Sequence, residues 1–124
     1  MAERYITPKV TTVSTGIPGR HIWTARHNQA VIDDGAYHGG PGEAPGAGEL
    51  FLAGITGCAT LMMERLARQS GAALKRVEVS MEGLIDTQAK REGPAVFENA
   101  RLKFVMVGVS EAQAREMVEF YKRH

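Results

Sequence analysis

The order of hydrophobic periods along this chain predicts an α+β fold: N-terminal strands, a long buried central helix, a two-stranded hairpin and a C-terminal helix. Three observations carry that reading. Thr- and Val-rich alternation occupies the N-terminal region. A run that is apolar or small on every side, Leu50–Met63, follows a loop rich in glycine and proline. Two alternating segments then lead into an apolar stripe at i, i+3, i+4 and i+7.

Taken in order, residues 3–15 set Lys9, Thr11, Val13 and Thr15 against Val10, Thr12 and Ser14, the pattern of an exposed or edge strand. Ile17-Pro-Gly19 signals a turn. Two short strands are expected at about 20–26 and 29–33, separated near His27-Asn28 and ended by Asp33-Asp-Gly35. Residues 35–48 read as a flexible linker loop. The central helix starts near Ala47–Glu49. Its all-round apolar surface predicts burial on all sides. Gly54 and Gly57 each weaken helix propensity by roughly 1 kcal/mol, so they are expected to mark close approach to another backbone. From Glu64 to Gln69 the helix turns polar, and Gly71 suits its C-terminal cap.

Beyond the helix, Val77, Val79, Met81 and Ile85 alternate with Arg76, Glu78, Ser80 and Glu82, a half-buried strand. Lys90–Pro94 connects it to a second strand, Val96–Val107, with Ala100, Leu102, Phe104 and Met106 on one face. The two form an antiparallel hairpin. Ser110-Glu-Ala-Gln113 is a capping-box pattern for the last helix. Ala114, Met117, Val118 and Tyr121 form its apolar stripe. There is no internal repeat, and a length of 124 residues predicts a single domain, 1–124.

Composition excludes several classes. The 15 basic and 14 acidic residues are interspersed, so no basic face invites nucleic acid. The lone cysteine, Cys58, excludes an internal disulfide and a multi-cysteine zinc site, and a single free thiol fits a reducing cytoplasm. His21, His27, His38 and His124 lack metal-ligand spacing, so no metal is expected. The Gly/Pro loop lacks both the phosphate-loop ending and dinucleotide-binding spacing, so no nucleotide cofactor is expected. The N-terminus has no signal-peptide core. The run Leu50–Met63 is shorter than the ~18 residues of a bilayer span, so no membrane is expected.

Cys58 lies inside the most apolar stretch. A free cysteine often acts as a small buried hydrophobe. A catalytic role requires a thiolate, and hence a cation nearby. The nearest basic residue after it, Arg65, is seven positions on. Glu49 precedes Cys58 by nine residues, which is roughly 13.5 Å along a helix axis and half a rotation around it. The two cannot touch within one straight helix. An acid in the first helical turn also has a plain role against the helix dipole. Arg20, Arg26, His21 and His27 are polar residues on the strand pair, where most such residues are merely solvated. Trp23 reads as core rather than as a ligand platform.

The segment Gly39–Gly83 resembles the OsmC/Ohr family (osmotically induced protein C and organic hydroperoxide resistance protein). Gly-Gly-Pro-Gly, Pro45-x-x-x-Glu49-Leu-Phe-Leu-Ala and Gly57-Cys58 carry the likeness, with the Gly71-x-x-Leu74 helix exit and the strand Val77-Glu78-Val79-x-x-Glu82-Gly83. Arg26-His27-Asn28 and Val31-Ile32-Asp33 resemble the family's preceding hairpin. The resemblance implies an intertwined homodimer whose two central helices pack together. It implies a thiol-dependent redox protein acting in oxidative-stress defence. Cys58 would reduce organic or other hydroperoxides, aided by Glu49 and by an arginine, Arg20 or Arg26, with Arg26 in the better-matched segment. Some family peroxidases carry the acid one position earlier, where this chain has Gly48. The family's second cysteine, in a Cys-Pro after the last helix, would fall where this chain stops at His124. Three explanations stay open: a truncated chain, a one-cysteine peroxidase that needs an external thiol reductant, or no peroxidase. The alternative function is a non-catalytic member binding a small apolar ligand at the dimer interface.

Overall fold

The computed structural model describes residues 4–89 and 97–124. Their order is β1 (Thr11–Ser14), β2 (Arg20–Ala25), β3 (Asn28–Asp33), a 3-10 turn (Ala36–His38), α1 (Ala47–Ser70), β4 (Arg76–Ile85), β5 (Phe97–Val107) and α2 (Glu111–Arg123). This is the expected α+β succession. The connection Lys90–Pro94 and the first residue of the expected strand, Val96, lie outside the described residues.

The chain divides into two compact units, Met1–Leu50 and Phe51–His124. The first holds an antiparallel sheet in the order β1-β2-β3. The strand expected over 3–15 is confined to Thr11–Ser14. Pairing explains the difference: Thr11 stands opposite Thr24, and β2 ends at Ala25, so residues before Thr11 run past the end of their partner. The β2–β3 turn lies at Arg26-His27, with Arg26 in the left-handed region at φ 56°, and Asn28 already belongs to β3.

The second unit is built on the antiparallel β4–β5 hairpin, paired from Arg76↔Val107 to Ile85↔Phe97. Val77, Val79, Met81 and Ile85 face inward as expected, and so do Leu102, Phe104 and Met106. Ala100 does not; it is exposed, near the register shift at Leu84/Ile85. α1 ends in a Schellman closure. Ala72 N donates to Ala67 O and Gly71 N to Arg68 O, with Gly71 at φ 70°, where a glycine avoids the side-chain clash. α2 begins with the expected capping box: Ser110 Oγ accepts from Gln113 N, and Gln113 Oε1 accepts from Ser110 N. Met63, Ala67 and Met117 form the buried core, with Met62, Leu66, Leu74, Val77, Phe104, Met106 and Tyr121 packed against it. Phe104 meets Tyr121 edge to face at 5.7 Å.

Burial of α1 on every side, expected from its composition, does not occur within the chain. Ala59, Met63 and Ala67 are buried, whereas Phe51, Ala53, Gly54, Gly57, Cys58 and Leu61 are exposed. A 13.5 kDa chain contributes one sheet and one short helix to this unit, enough to cover one side of the helix. α1 is also long and apolar enough to cross a membrane by length and composition alone, although its uncharged run is shorter. Core helices share those properties, and Met63 and Ala67 do lie in this unit's own core.

Candidate functional site

The first unit concentrates its polar chemistry at one carboxylate. Asp33 ends β3 opposite Arg20, which starts β2. Its side chain is buried and accepts hydrogen bonds from Arg20 Nε and Nη2, both at 2.9 Å, and from the backbone amides of Glu43 and Ala44, both at 3.0 Å. Arg20 Nη2 also reaches Glu43 Oε1 at 3.2 Å. The guanidinium is thus held by a fork that fixes its plane. The Arg20 hydrogen bonds hold the Asp33 carboxyl far below the ordinary carboxylate range, and the two carboxylates push Arg20 above the ordinary arginine value. Among the described residues Nη1 of Arg20 has no partner, which leaves one face of a positioned cation free.

The loop 35–48 is therefore not a flexible linker. Asp33 N donates to Pro45 O, Asp34 N to Gly19 O, and Gly42 N to Asp34 O. Gly42 adopts φ +63°, and a Cβ there would stand 2.9 Å from Ala36 N. The loop thus delivers the chain to α1 along a defined path. At its end Glu49 Oε1 accepts from Gly46 N at 3.0 Å, and Leu50 N donates to Gly46 O. Glu49 acts as the third-residue acid of a helix start, the plain role noted for it above.

Cys58 is a free, exposed thiol on α1. The chain itself leaves it uncovered. It shares a narrow stripe with Phe51, Gly54, Leu61 and Arg65, all exposed and spaced alternately by three and four residues. That spacing is the seam by which one helix meets another. A Cβ built on Gly54 or Gly57 meets nothing within 4 Å, so the close approach these glycines suggest is not made within the chain. Phe51 stacks on Phe97 at 6.4 Å.

Arg26, the better-matched arginine by resemblance, is exposed in the β2–β3 turn and bonds to no described residue. It lies six steps along the extended chain from Arg20, roughly 20 Å. Asp33 and Glu43 had drawn no functional reading from the sequence. Asp33-Asp-Gly35 had signalled only a strand end, and the cross-strand register with Arg20 is what gives Asp33 its meaning. Among the described residues no three His, Cys, Asp or Glu side chains gather to hold a metal.

The chain thus carries a free thiol midway along the exposed face of α1 and, in its first unit, an anchored arginine. A family model for OsmC-like proteins matches residues 40–124, more than half of the chain, and the chain belongs to that family. Solved structures share the fold. An OsmC-like protein from Mycoplasma pneumoniae has a TM-score of 0.80 at 14% identity over 96% of this chain and 82% of that one. An organic hydroperoxide resistance protein OsmC from Legionella pneumophila, described as a predicted redox protein, has 0.75 at 18% identity over 94% and 82%. A candidate organic hydroperoxide resistance protein from Vibrio cholerae O1 biovar eltor has 0.62 at 22% identity over 97% and 79%. That structure holds captopril in one of its active sites. A comparison with curated protein sequences gives no match.

Proposed function

We propose that this chain is a thiol-dependent hydroperoxide reductase of the cytoplasm, a single OsmC-like domain working as a homodimer. The exposed Cys58 on an uncovered helical seam carries the reading, because a reactive sulfur must meet both solvent and a partner surface. The partner helix would cover Phe51, Gly54 and Leu61, with Gly54 and Gly57 permitting close approach. No membrane or nucleic acid takes part.

Chemically, the Cys58 thiolate attacks the outer oxygen of the hydroperoxide. An S–O bond forms, the O–O bond breaks, and the alkoxide leaves as an alcohol after taking a proton. The sulfenic acid then reacts with two equivalents of an external thiol, giving water and a disulfide of that reductant. A cation must hold the thiolate in this apolar setting. Arg20 suits that task better than Arg26, because Asp33 and Glu43 fix its guanidinium while Nη1 has no partner among the described residues. Glu49 orders the start of the helix that carries Cys58. Since Glu49 and Cys58 cannot meet within one helix, each site would take its arginine and acid from the opposite subunit.

The test uses tert-butyl hydroperoxide with a dithiol reductant. Peroxide consumption and dimedone trapping at Cys58 are expected in the parent and absent in Cys58→Ser. Equal consumption by both proteins would overturn the reading. Mixing Cys58→Ser subunits with Arg20→Ala subunits should restore one working site per heterodimer. Because the chain offers one cysteine, a second reading is retained: a non-catalytic dimer that binds a small apolar ligand. It gains if Cys58 yields no dimedone adduct while a small apolar thiol such as captopril binds the dimer.

A further inference from the structure

The core of the second unit is unusually rich in sulfur. Met63 and Met117 are buried in it, and Met62 and Met106 pack against them. Methionine fills irregular space well, but its thioether is the core group most open to two-electron oxidation. Two openings reach this cluster. A groove of about 520 Å³ between β5 and α2 is lined by Met106 with Phe104, Ala114 and Val118. A smaller one of about 210 Å³ beside α1 and α2 is lined by Met117 with Leu66 and Phe120. Met63 borders neither and is 0% exposed.

We propose that Met106 and Met117 are oxidation sites for small organic hydroperoxides, and that their sulfoxides release α2 from the β4–β5 hairpin. The thioether lone pair attacks the outer peroxide oxygen. The S–O bond forms as the O–O bond breaks, and the peroxide's proton passes to the departing alkoxide. Sulfur is oxidised by two electrons, and the hydroperoxide is reduced to an alcohol. The first groove is apolar along Phe104, Ala114 and Val118, carries Glu111, Arg115 and Glu119 along the rest of its lining, and is roomy enough for a small alkyl hydroperoxide. A sulfoxide at Met106 or Met117 is a strong acceptor set against the apolar cluster of Met63, Ala67 and Leu66, which disfavours the packed state. Sulfoxide reductases reverse the change, one enzyme for each epimer. The device is independent of Cys58 chemistry.

The test therefore uses Cys58→Ser protein treated with tert-butyl hydroperoxide below its unfolding temperature. Peptide mass spectrometry follows each methionine while thermal unfolding is recorded. Met106 and Met117, which line the two openings, are expected to gain oxygen before Met63. Met63 should lag roughly tenfold or more, because it is reached only by local opening. The melting temperature should fall in step with the first two sulfoxides and recover with both reductases. Met106→Leu/Met117→Leu, a volume-conserving pair, should keep its melting temperature under the same treatment. Oxidation of Met63 as fast as Met106, or complete oxidation of Met106 and Met117 without a shift in melting temperature, overturns the proposal. Should the double variant not fold, the oxidation order in the Cys58→Ser protein still decides.

Discussion

In Met1–Leu50, the residue most completely withdrawn from solvent is a carboxylate, Asp33, 2% exposed. In Phe51–His124, the buried residues among those described are Ala59, Met63, Ala67 and Met117, all apolar. The first unit is organised by directional bonds that converge on one side chain. The second is organised by contact area, which has no preferred direction. Directional bonds define where a guanidinium points and where a loop enters a helix. Contact area contributes most of the stability but tolerates rearrangement.

The two kinds of order should fail under different perturbations. The largest effect on stability is expected from Met63→Ala, which empties space in the fully packed core and should cost about 2–5 kcal/mol. Chemical denaturation checks it, and a loss much below that range would show that the apolar unit carries less of the stability than its burial implies.

Asp33→Asn should leave that core intact and release the loop instead. Hydrogen exchange at the Glu43 and Ala44 amides should accelerate strongly, with little change in α2. Peroxide turnover should fall by an order of magnitude or more if Arg20 is the working cation. Unchanged protection at both amides would remove Asp33 as the organiser of the first unit.

Acid should reproduce part of this. A carboxyl held below its ordinary range contributes stability that is complete above the unfolded value of about 3.9 and is lost as pH falls from there toward the folded value. Arg20, pushed upward, stays charged throughout that range and adds no transition. Loop protection should therefore be level between neutral pH and about 5, and decline below about 4. Exchange measured against pH decides, and a loss centred near neutrality would point to another group.

Ser110→Ala should have the smallest effect, about 1 kcal/mol, by removing one half of the α2 capping box. Its cost should appear in the thermal midpoint without altering exchange at Glu43 or Ala44.

The second unit was the more legible in the sequence. Period-two alternation in 76–85, the Ser110–Gln113 capping box and the stripe through Met117 and Tyr121 are local patterns, and local geometry obeyed them. The first unit was read less well. Asp33 looked like a strand end, and residues 35–48 looked like a linker, because the bonds that order them come from Arg20 and from amides ten and eleven residues further on. Motif likeness favours Arg26, and strand register sets where the two arginines lie: Arg20 opposite Asp33, Arg26 in an exposed turn.

By itself, the sequence determined the succession of elements, the family, the helix that carries Cys58 and the capping box that starts α2, since each depends on residues within a turn or two of one another. Only the tertiary structure decided that Asp33 is the buried hub of the first unit and that Cys58 stays exposed on a face its own chain does not cover. The reason is physical. Period and capping act over a few bonds along the chain. Which arginine meets which carboxylate, and which side of an all-apolar helix finds a neighbour, depends on strand pairing and on how much surface the rest of the chain has available to cover it.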